Sequence, residues 1–169
     1  DYGYVAGQNS VTAIQYVGDR GDGLPPCIVT TVLPDIGVQY PQNWCQFRGR
    51  LLIYTAQGNL MLMESDGSFD TSFANPVSKI LKGFTTVATS VAYDPKNDSI
   101  VVLNGKQMLV YSIQAGQWRK IFLPDYGITS TCVSAVSAKR NLYFTLTDGT
   151  TLTAYTYDTG SATAPIAVV

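Results

Sequence analysis

The sequence predicts an all-β chain of antiparallel repeated small sheets, β-propeller-like, with a β-sandwich as the alternative architecture. Three observations predict it. First, strand–turn–strand units recur at a period in the forties. Val91 matches Val133 and Ile100 matches Leu142, both 42 apart, while Gly105, Tyr111 and Gly116 match Gly149, Tyr155 and Gly160, all 44 apart. Leu52 lies 48 before Ile100, and Gly58 lies 47 before Gly105. Such a period with three or four short strands per unit is the signature of propeller blades. Second, the turns carry hairpin chemistry, as in Asn104-Gly105 and Asp148-Gly149. Third, of 12 acidic residues only Glu64 is Glu. Asp suits turns and Glu suits helices.

The first ten residues, rich in Gly and Tyr, carry no clear period. A unit over about 11–33 follows. Val11 to Tyr16 alternates, Gly18 to Gly23 makes a loop, and Cys27 to Leu33 returns as the partner strand until Pro34 stops it. The loop contains Arg20-Gly21-Asp22, the tripeptide of integrin ligands, which a glycine-rich turn also produces by chance. A second unit spans about 44–67. Trp44 to Phe47 opens it, Arg48-Gly49-Arg50 turns, Leu51 to Tyr54 is a strand, and Leu60 to Met63 runs back after Gln57-Gly58-Asn59.

The stretch 69–82 repeats least. Asp70 to Phe73 starts a short helix or stays a loop, and Asn75-Pro76 argues against a long one. The third unit spans about 86–118, with strands at Ala88 to Tyr93, Ile100 to Leu103 and Met108 to Ile113, closed by Gly116-Gln117-Trp118. Arg119 to Pro124 reads as a connection. The fourth unit spans about 131–160, with strands at Cys132 to Val136, Leu142 to Leu146 and Leu152 to Tyr157, and the tail adds an edge strand. The nearly continuous apolar runs Ile100–Leu103 and Leu51–Tyr54 suit strands buried on both faces. Trp44 and Trp118 are expected as core residues that close their blades. Propellers have about four to eight blades. Three clear units and a fourth near residues 11–33 therefore read as a small propeller or part of one, and the chain as a single all-β domain or fragment.

Charged residues are 14% of the chain, against about 25% in a typical domain. The net charge of −1 gives no general reason to expect binding to a nucleic-acid backbone. The absence of His removes the Ser-His-Asp triad, the HExxH zinc site and the commonest neutral-pH proton shuttle. No Walker-type phosphate loop is present. Cys27, Cys45 and Cys132 are widely spaced, with no CxxC pair. They are expected as buried thiols rather than zinc ligands, one disulfide with one free thiol being the alternative. The acidic pairs Asp19/Asp22, Asp66/Asp70 and Asp94/Asp98 are read as turn residues. A calcium site at Asp94, Asn97 and Asp98 needs more oxygen ligands than the segment offers. No catalytic, cofactor-binding or metal residue is therefore assigned, and no cofactor is expected. No apolar run is long enough for a membrane-spanning helix.

One phrase carries a resemblance. Trp44-Cys45-Gln46-Phe47-Arg48-Gly49-Arg50-Leu51-Leu52-Ile53 resembles the "x-F-x-x-R-L" blade opening in tail proteins of short-tailed bacteriophages. Ser65-Asp66-Gly67-Ser68-Phe69-Asp70 is similar to that family's "S-D-x-x-D-F" phrase. The resemblance covers roughly residues 44–160. It implies a propeller-containing tail nozzle, or packaged-DNA stabilisation protein, located in the virion tail. Its subunits would assemble as a homo-oligomer or with other virion proteins. It would be a non-enzymatic structural component that completes the tail channel and retains and conducts DNA. Ring contacts would fall on the connectors 69–82 and 18–26. The competing functions are a binding module recognising a protein or glycan through loops, with Tyr16, Tyr40 and Tyr126 as exposed aromatics, and a glycoside-type hydrolase with two carboxylates across a cleft.

Overall fold

The computed structural model describes residues 2–19, 21–23, 26–64, 68–70, 88–157 and 166–168. They form four small antiparallel sheets in chain order. The first sheet holds β1 (Tyr2–Ala6), β2 (Ser10–Tyr16) and β3 (Cys27–Pro34). The second holds β4 (Trp44–Phe47), β5 (Arg50–Tyr54), β6 (Leu60–Met63) and β7 (Phe69–Asp70). The third holds β8 (Ser90–Asp94), β9 (Ser99–Asn104), β10 (Gln107–Ser112) and β11 (Gln117–Phe122), followed by a 3-10 turn at Leu123–Tyr126. The fourth holds β12 (Thr131–Ala138), β13 (Asn141–Thr147), β14 (Leu152–Tyr157) and β15 (Ile166–Val168). Each strand pairs with its sequence neighbour within its sheet, so every sheet is a meander.

Turn chemistry fixes the registers. Phe47 pairs with Arg50 and Ala138 with Asn141, so each hairpin turns in two residues. Both central residues have positive φ in each: Arg48 and Gly49 in one, Lys139 and Arg140 in the other. That geometry matches the right-handed twist of the flanking strands. Three of these four positions are not glycine and so sit in a region L-residues rarely adopt.

The side-chain period of two then sorts each strand between two seams. In the second sheet, Leu52, Tyr54, Leu60 and Leu62 pack toward the third sheet, against Val91, Ile100, Val102 and Leu109. Ile53 and Met61 point the other way and pack with Val11 of the first sheet. In the third sheet the alternate residues Val101, Leu103, Met108 and Val110 pack on Cys132, Leu142, Phe144 and Leu146 of the fourth. The order of packing is therefore first on second, second on third, third on fourth. The two middle sheets are covered on both faces, which is why all four residues of β6 and the first five of β9 are buried. Among the described residues the fourth sheet is covered on one face, and from Leu142 to Thr147 β13 alternates between buried and half-buried positions.

Several sequence expectations change. Tyr2–Ala6 is a strand pairing with β2, although its Gly-rich sequence shows no period. Gln117–Phe122 is the outer strand of the third sheet, not an exit and a connection. Its charged residues Arg119 and Lys120 are exposed because β11 is an edge. Phe69–Asp70 pairs with β6 rather than starting a helix; residues 71–73 lie outside those described. The tail strand is present as β15.

Trp44 is the main correction. It is 52% exposed, not a core residue closing a blade. It opens β4 opposite Ile53, at the strand's uncovered beginning. Trp118 is half-buried on the edge strand and leans on Tyr111, ring centroids 5.3 Å apart. It packs at the margin of the second–third seam.

Candidate functional site: a groove between the first strands of three sheets

In the second, third and fourth sheets, the first strand is an edge, and the three edges β4, β8 and β12 come together. Backbone and side-chain groups stitch them. The Val91 N–H donates to the Gln42 carbonyl at 2.9 Å. The Ala135 N–H donates to Ser90 Oγ at 3.0 Å, and Ser137 Oγ donates to the Tyr93 carbonyl. Between the edges lies a groove of about 710 Å³, lined by Gln42, Trp44, Gln46, Tyr93, Ser134 and Val136 among others. Its lining mixes one large aromatic face with amides and hydroxyls. Asn43, directly before Trp44, is fully buried, and its side-chain amide finds no partner among the described residues.

One end of the groove is held by a polar clasp between two equivalent turns. The Tyr93 hydroxyl donates to Asp98 Oδ1 at 2.7 Å, and the Arg48 guanidinium donates to Asp98 Oδ2 at 2.5 Å. The Asp98 carboxyl is held below its usual value, first by the Tyr93 hydrogen bond and then by Arg48. Tyr93 is pushed up, chiefly by burial and then by its bond to Asp98. The Tyr93 ring meets Phe47 edge-on at 4.9 Å, and Arg48 lies over the Phe47 ring at 5.4 Å. Nothing in their local sequence pairs these residues. Arg48 and Asp98 occupy equivalent turns of successive units, and that repeat position is the signal that could have paired them.

The acidic pairs do not converge. Asp94 is fully buried and accepts from the Lys96 backbone N–H at 3.0 Å and from Asn97 Nδ2 at 2.6 Å, while Asp98 serves the clasp. Asp19 accepts from the Gly21 N–H at 3.0 Å in an exposed loop. Asp66, and Arg20 of the Arg-Gly-Asp tripeptide, lie outside the described residues. Among the described residues no group of three or more His, Cys, Asp or Glu could hold a metal ion. Tyr16, Tyr40 and Tyr126 are exposed on three separate elements, and none of them lines the groove. Of the connectors expected to make ring contacts, residues 20, 24, 25 and 71–82 lie outside the described residues.

The three cysteines are free thiols; Cys132 is buried as expected, whereas Cys27 and Cys45 are half-buried. Burial pushes Cys45, beside the groove, up to about 12, with only partial relief from a backbone hydrogen bond at Tyr93. Burial likewise pushes Cys132 up to about 12. Pushed that high, both thiols stay protonated at pH 8, where the thiolate is the reactive form. Alkylation of the folded protein at that pH should leave Cys45 and Cys132 unmodified until denaturant is added. Rapid labelling of either, read by mass spectrometry, would contradict its placement.

The Asp148 turn gives a pH prediction. The Thr151 and Thr150 backbone N–H groups and the Thr150 hydroxyl donate to Asp148 Oδ1 and lower its pKa from 3.8 to about 2. A depressed folded-state pKa contributes stability that is present above pH 3.8 and is lost as the pH falls toward 2. Asp148→Asn should therefore melt below the parent protein at neutral pH, and the two melting temperatures should converge near pH 2. A gap that stays constant over that window would contradict the assignment.

No protein-family model matches the chain, and no curated protein matches it. Solved structures do. A hemopexin fold protein, CP4 from cow pea, is similar with a TM-score of 0.54 at 12% identity, covering 99% of this chain and 86% of that one. A structure described as a 2S albumin seed protein from Dolichos is similar with a TM-score of 0.50 at 11% identity, over the same shares. At such identities the likeness concerns fold alone: the chain is an all-β, propeller-like array of four small antiparallel sheets.

Proposed function

We propose that this chain is a non-enzymatic structural component of a viral tail or connector, which completes the tail channel and helps to retain and conduct DNA. The observation that carries the reading is the surface left on the two terminal sheets. Val5, Tyr16 and Val29 on the first sheet are 56%, 65% and 65% exposed, and Val136 and Leu152 on the fourth are 61% and 68% exposed. Exposed apolar side chains on both terminal sheets suit a protein built into an assembly. The resemblance to short-tailed bacteriophage tail proteins supports the identity of that assembly. The phrase from Trp44 to Ile53 spans β4, its two-residue turn and most of β5, so it coincides with a structural unit. A chain with a net charge of −1 offers little phosphate neutralisation, which suits passage of DNA rather than its capture.

A second reading is favoured by one observation. Trp44 stands half-exposed in a groove of about 710 Å³ among Gln42, Gln46 and Ser134, as a binding module for a sugar or peptide would require. The two readings separate in the virion. Particles assembled without the protein should package DNA and then lose it, with retention restored by adding the protein back. Particles that lack it yet keep their DNA and deliver it normally would defeat the tail reading.

A further inference from the structure

The groove between β4, β8 and β12 carries side chains that take no part in the packing of the sheets. On β4 the period of two puts Cys45 and Phe47 into the second–third seam, which turns Trp44 and Gln46 to the other side. Trp44 belongs to none of the three core clusters and is 52% exposed. It lines the groove together with Gln42, Gln46 and Ser134. The side chains of Gln42, Gln46 and Ser134 enter no hydrogen bond among the described residues. An indole face, two uncommitted amides and a hydroxyl therefore meet at one place.

The chemistry of the lining narrows the ligand. Arg48 is the one charged side chain among the lining residues, and its guanidinium is already bonded to Asp98. An anion would have to displace Asp98, and a cation would find no carboxylate in the lining. The backbone groups of the three edges are tied to one another: the Gln42 carbonyl by Val91, the Tyr93 carbonyl by Ser137 and the Ala135 N–H by Ser90. These bonds take up ladder groups that an added peptide strand would use. Recognition is left to the side chains. A saccharide has the matching chemistry. Its pyranose ring offers an apolar C–H face that lies flat on an indole, and a rim of hydroxyls that donate and accept as amides and hydroxyls do. The volume of about 710 Å³ falls in the range of small-ligand sites.

We propose that the groove binds a neutral oligosaccharide, one pyranose stacked on Trp44 with its hydroxyls bonded by Gln42, Gln46 and Ser134. No Asp or Glu lines the groove, so the sugar is held and not cleaved. The proposal names the ligand class for the binding-module reading of this groove and rests on that reading. It does not depend on the tail reading. Val5, Tyr16, Val29 and Leu152 lie outside the groove lining, so a chain assembled through them keeps Trp44 empty until sugar is supplied.

The probes are cellohexaose, mannohexaose and the hexamer of N-acetylglucosamine, titrated into the full chain by calorimetry. At least one should bind. The chain has two tryptophans, so Trp118→Phe leaves Trp44 as the sole fluorescent reporter of the groove. Acrylamide should quench Trp44 in the free protein, and the bound hexaose should protect it. Trp44→Ala should weaken binding by about tenfold or more, and Gln46→Ala by about threefold, with unchanged melting curves. Tyr126→Ala removes an exposed aromatic outside the groove and should leave binding unchanged. Raised salt should also leave it unchanged, since no charge is used. Failure of every hexaose to bind, binding that survives Trp44→Ala, or binding lost in high salt overturns the proposal. So does a Trp44 that acrylamide does not reach, because the chain itself then fills the groove. An extended peptide of alternating Thr and Val is the comparison. If it alone binds, and through Trp44, the saccharide is wrong and the binding-module reading stands; if neither it nor a hexaose binds, both fail.

Discussion

Phe144→Ala is expected to cost about 3–5 kcal/mol, the range for emptying a buried aromatic site. Phe144 is 1% exposed at the centre of the third–fourth seam, and its ring stacks on Tyr155 with centroids 5.7 Å apart. Its removal leaves a cavity lined by residues from two sheets, neither of which can collapse without shifting its register. For a chain of this length the loss lowers the melting temperature by roughly 10 °C. The control lies two strands of alternation away. Leu152→Ala, on the free face of the same sheet, should change stability by no more than about 0.5 kcal/mol in the isolated chain. Equal losses at the two positions, measured by denaturant titration, would mean that the fourth sheet is covered on both faces within one copy.

Gly37→Ala is the second large effect, and it acts through backbone contact rather than through φ. A Cβ at Gly37 would lie 2.2 Å from the Gly7 carbonyl oxygen and 2.3 Å from the Gln8 carbonyl carbon and oxygen. These are backbone atoms of the β1–β2 turn, so they cannot swing away. The same contact is hydrogen-bonded. The Val38 N–H donates to Gly7 at 2.9 Å, and the Ala56 N–H donates to Gly37 at 2.8 Å. The connector between β3 and β4 thus locks the first sheet to the β5–β6 turn of the second. Forcing it apart breaks both bonds and loosens Val38 from the first–second seam, a loss of about 3 kcal/mol. Gly7→Ala is the matched control. Its Cβ would meet only the Ser10 carbonyl, at the ordinary distance of 3.7 Å. Native-state exchange should show β1–β3 losing protection in Gly37→Ala while β8–β14 keep theirs. Uniform retention of protection would contradict the tight approach.

The legible and illegible parts of this structure divide along physical lines. Ile100–Leu103 read as a strand buried on both faces because continuous apolarity over a short run has that meaning, and the middle position of its sheet provides it. The places of the turns were legible from Gly105 and Gly149, both at positive φ, but not their bounds: Asn104 pairs with Gln107, which leaves Gly105-Lys106 as the loop, and Thr147 pairs with Leu152, which puts Asp148-Gly149 in a longer one. Tyr2–Ala6 was not, because glycine at position 3 interrupts the alternation and its pairing with β2 is a tertiary fact. Gln117–Phe122 was hidden by Arg119 and Lys120, charges that an outer edge strand tolerates. The position of Trp44 was beyond local reading, since a tryptophan opening an apolar run looks the same whether or not a neighbouring sheet reaches it. The groove was illegible for the same reason. It is made from edges near residues 42, 92 and 135, three stretches that only the stacking of sheets brings together.

Under the proposed function, the exposed apolar residues of the two terminal sheets, rather than the groove, make the contacts of the assembly. The most direct measurement is an electron cryomicroscopy reconstruction of the protein in its assembled state, at side-chain detail. The expected result is protein density packed over Val5, Tyr16 and Val29 on one side and over Leu152 on the other, with no molecule stacked on Trp44. Both faces standing in solvent, with a bound molecule stacked on Trp44, would contradict it.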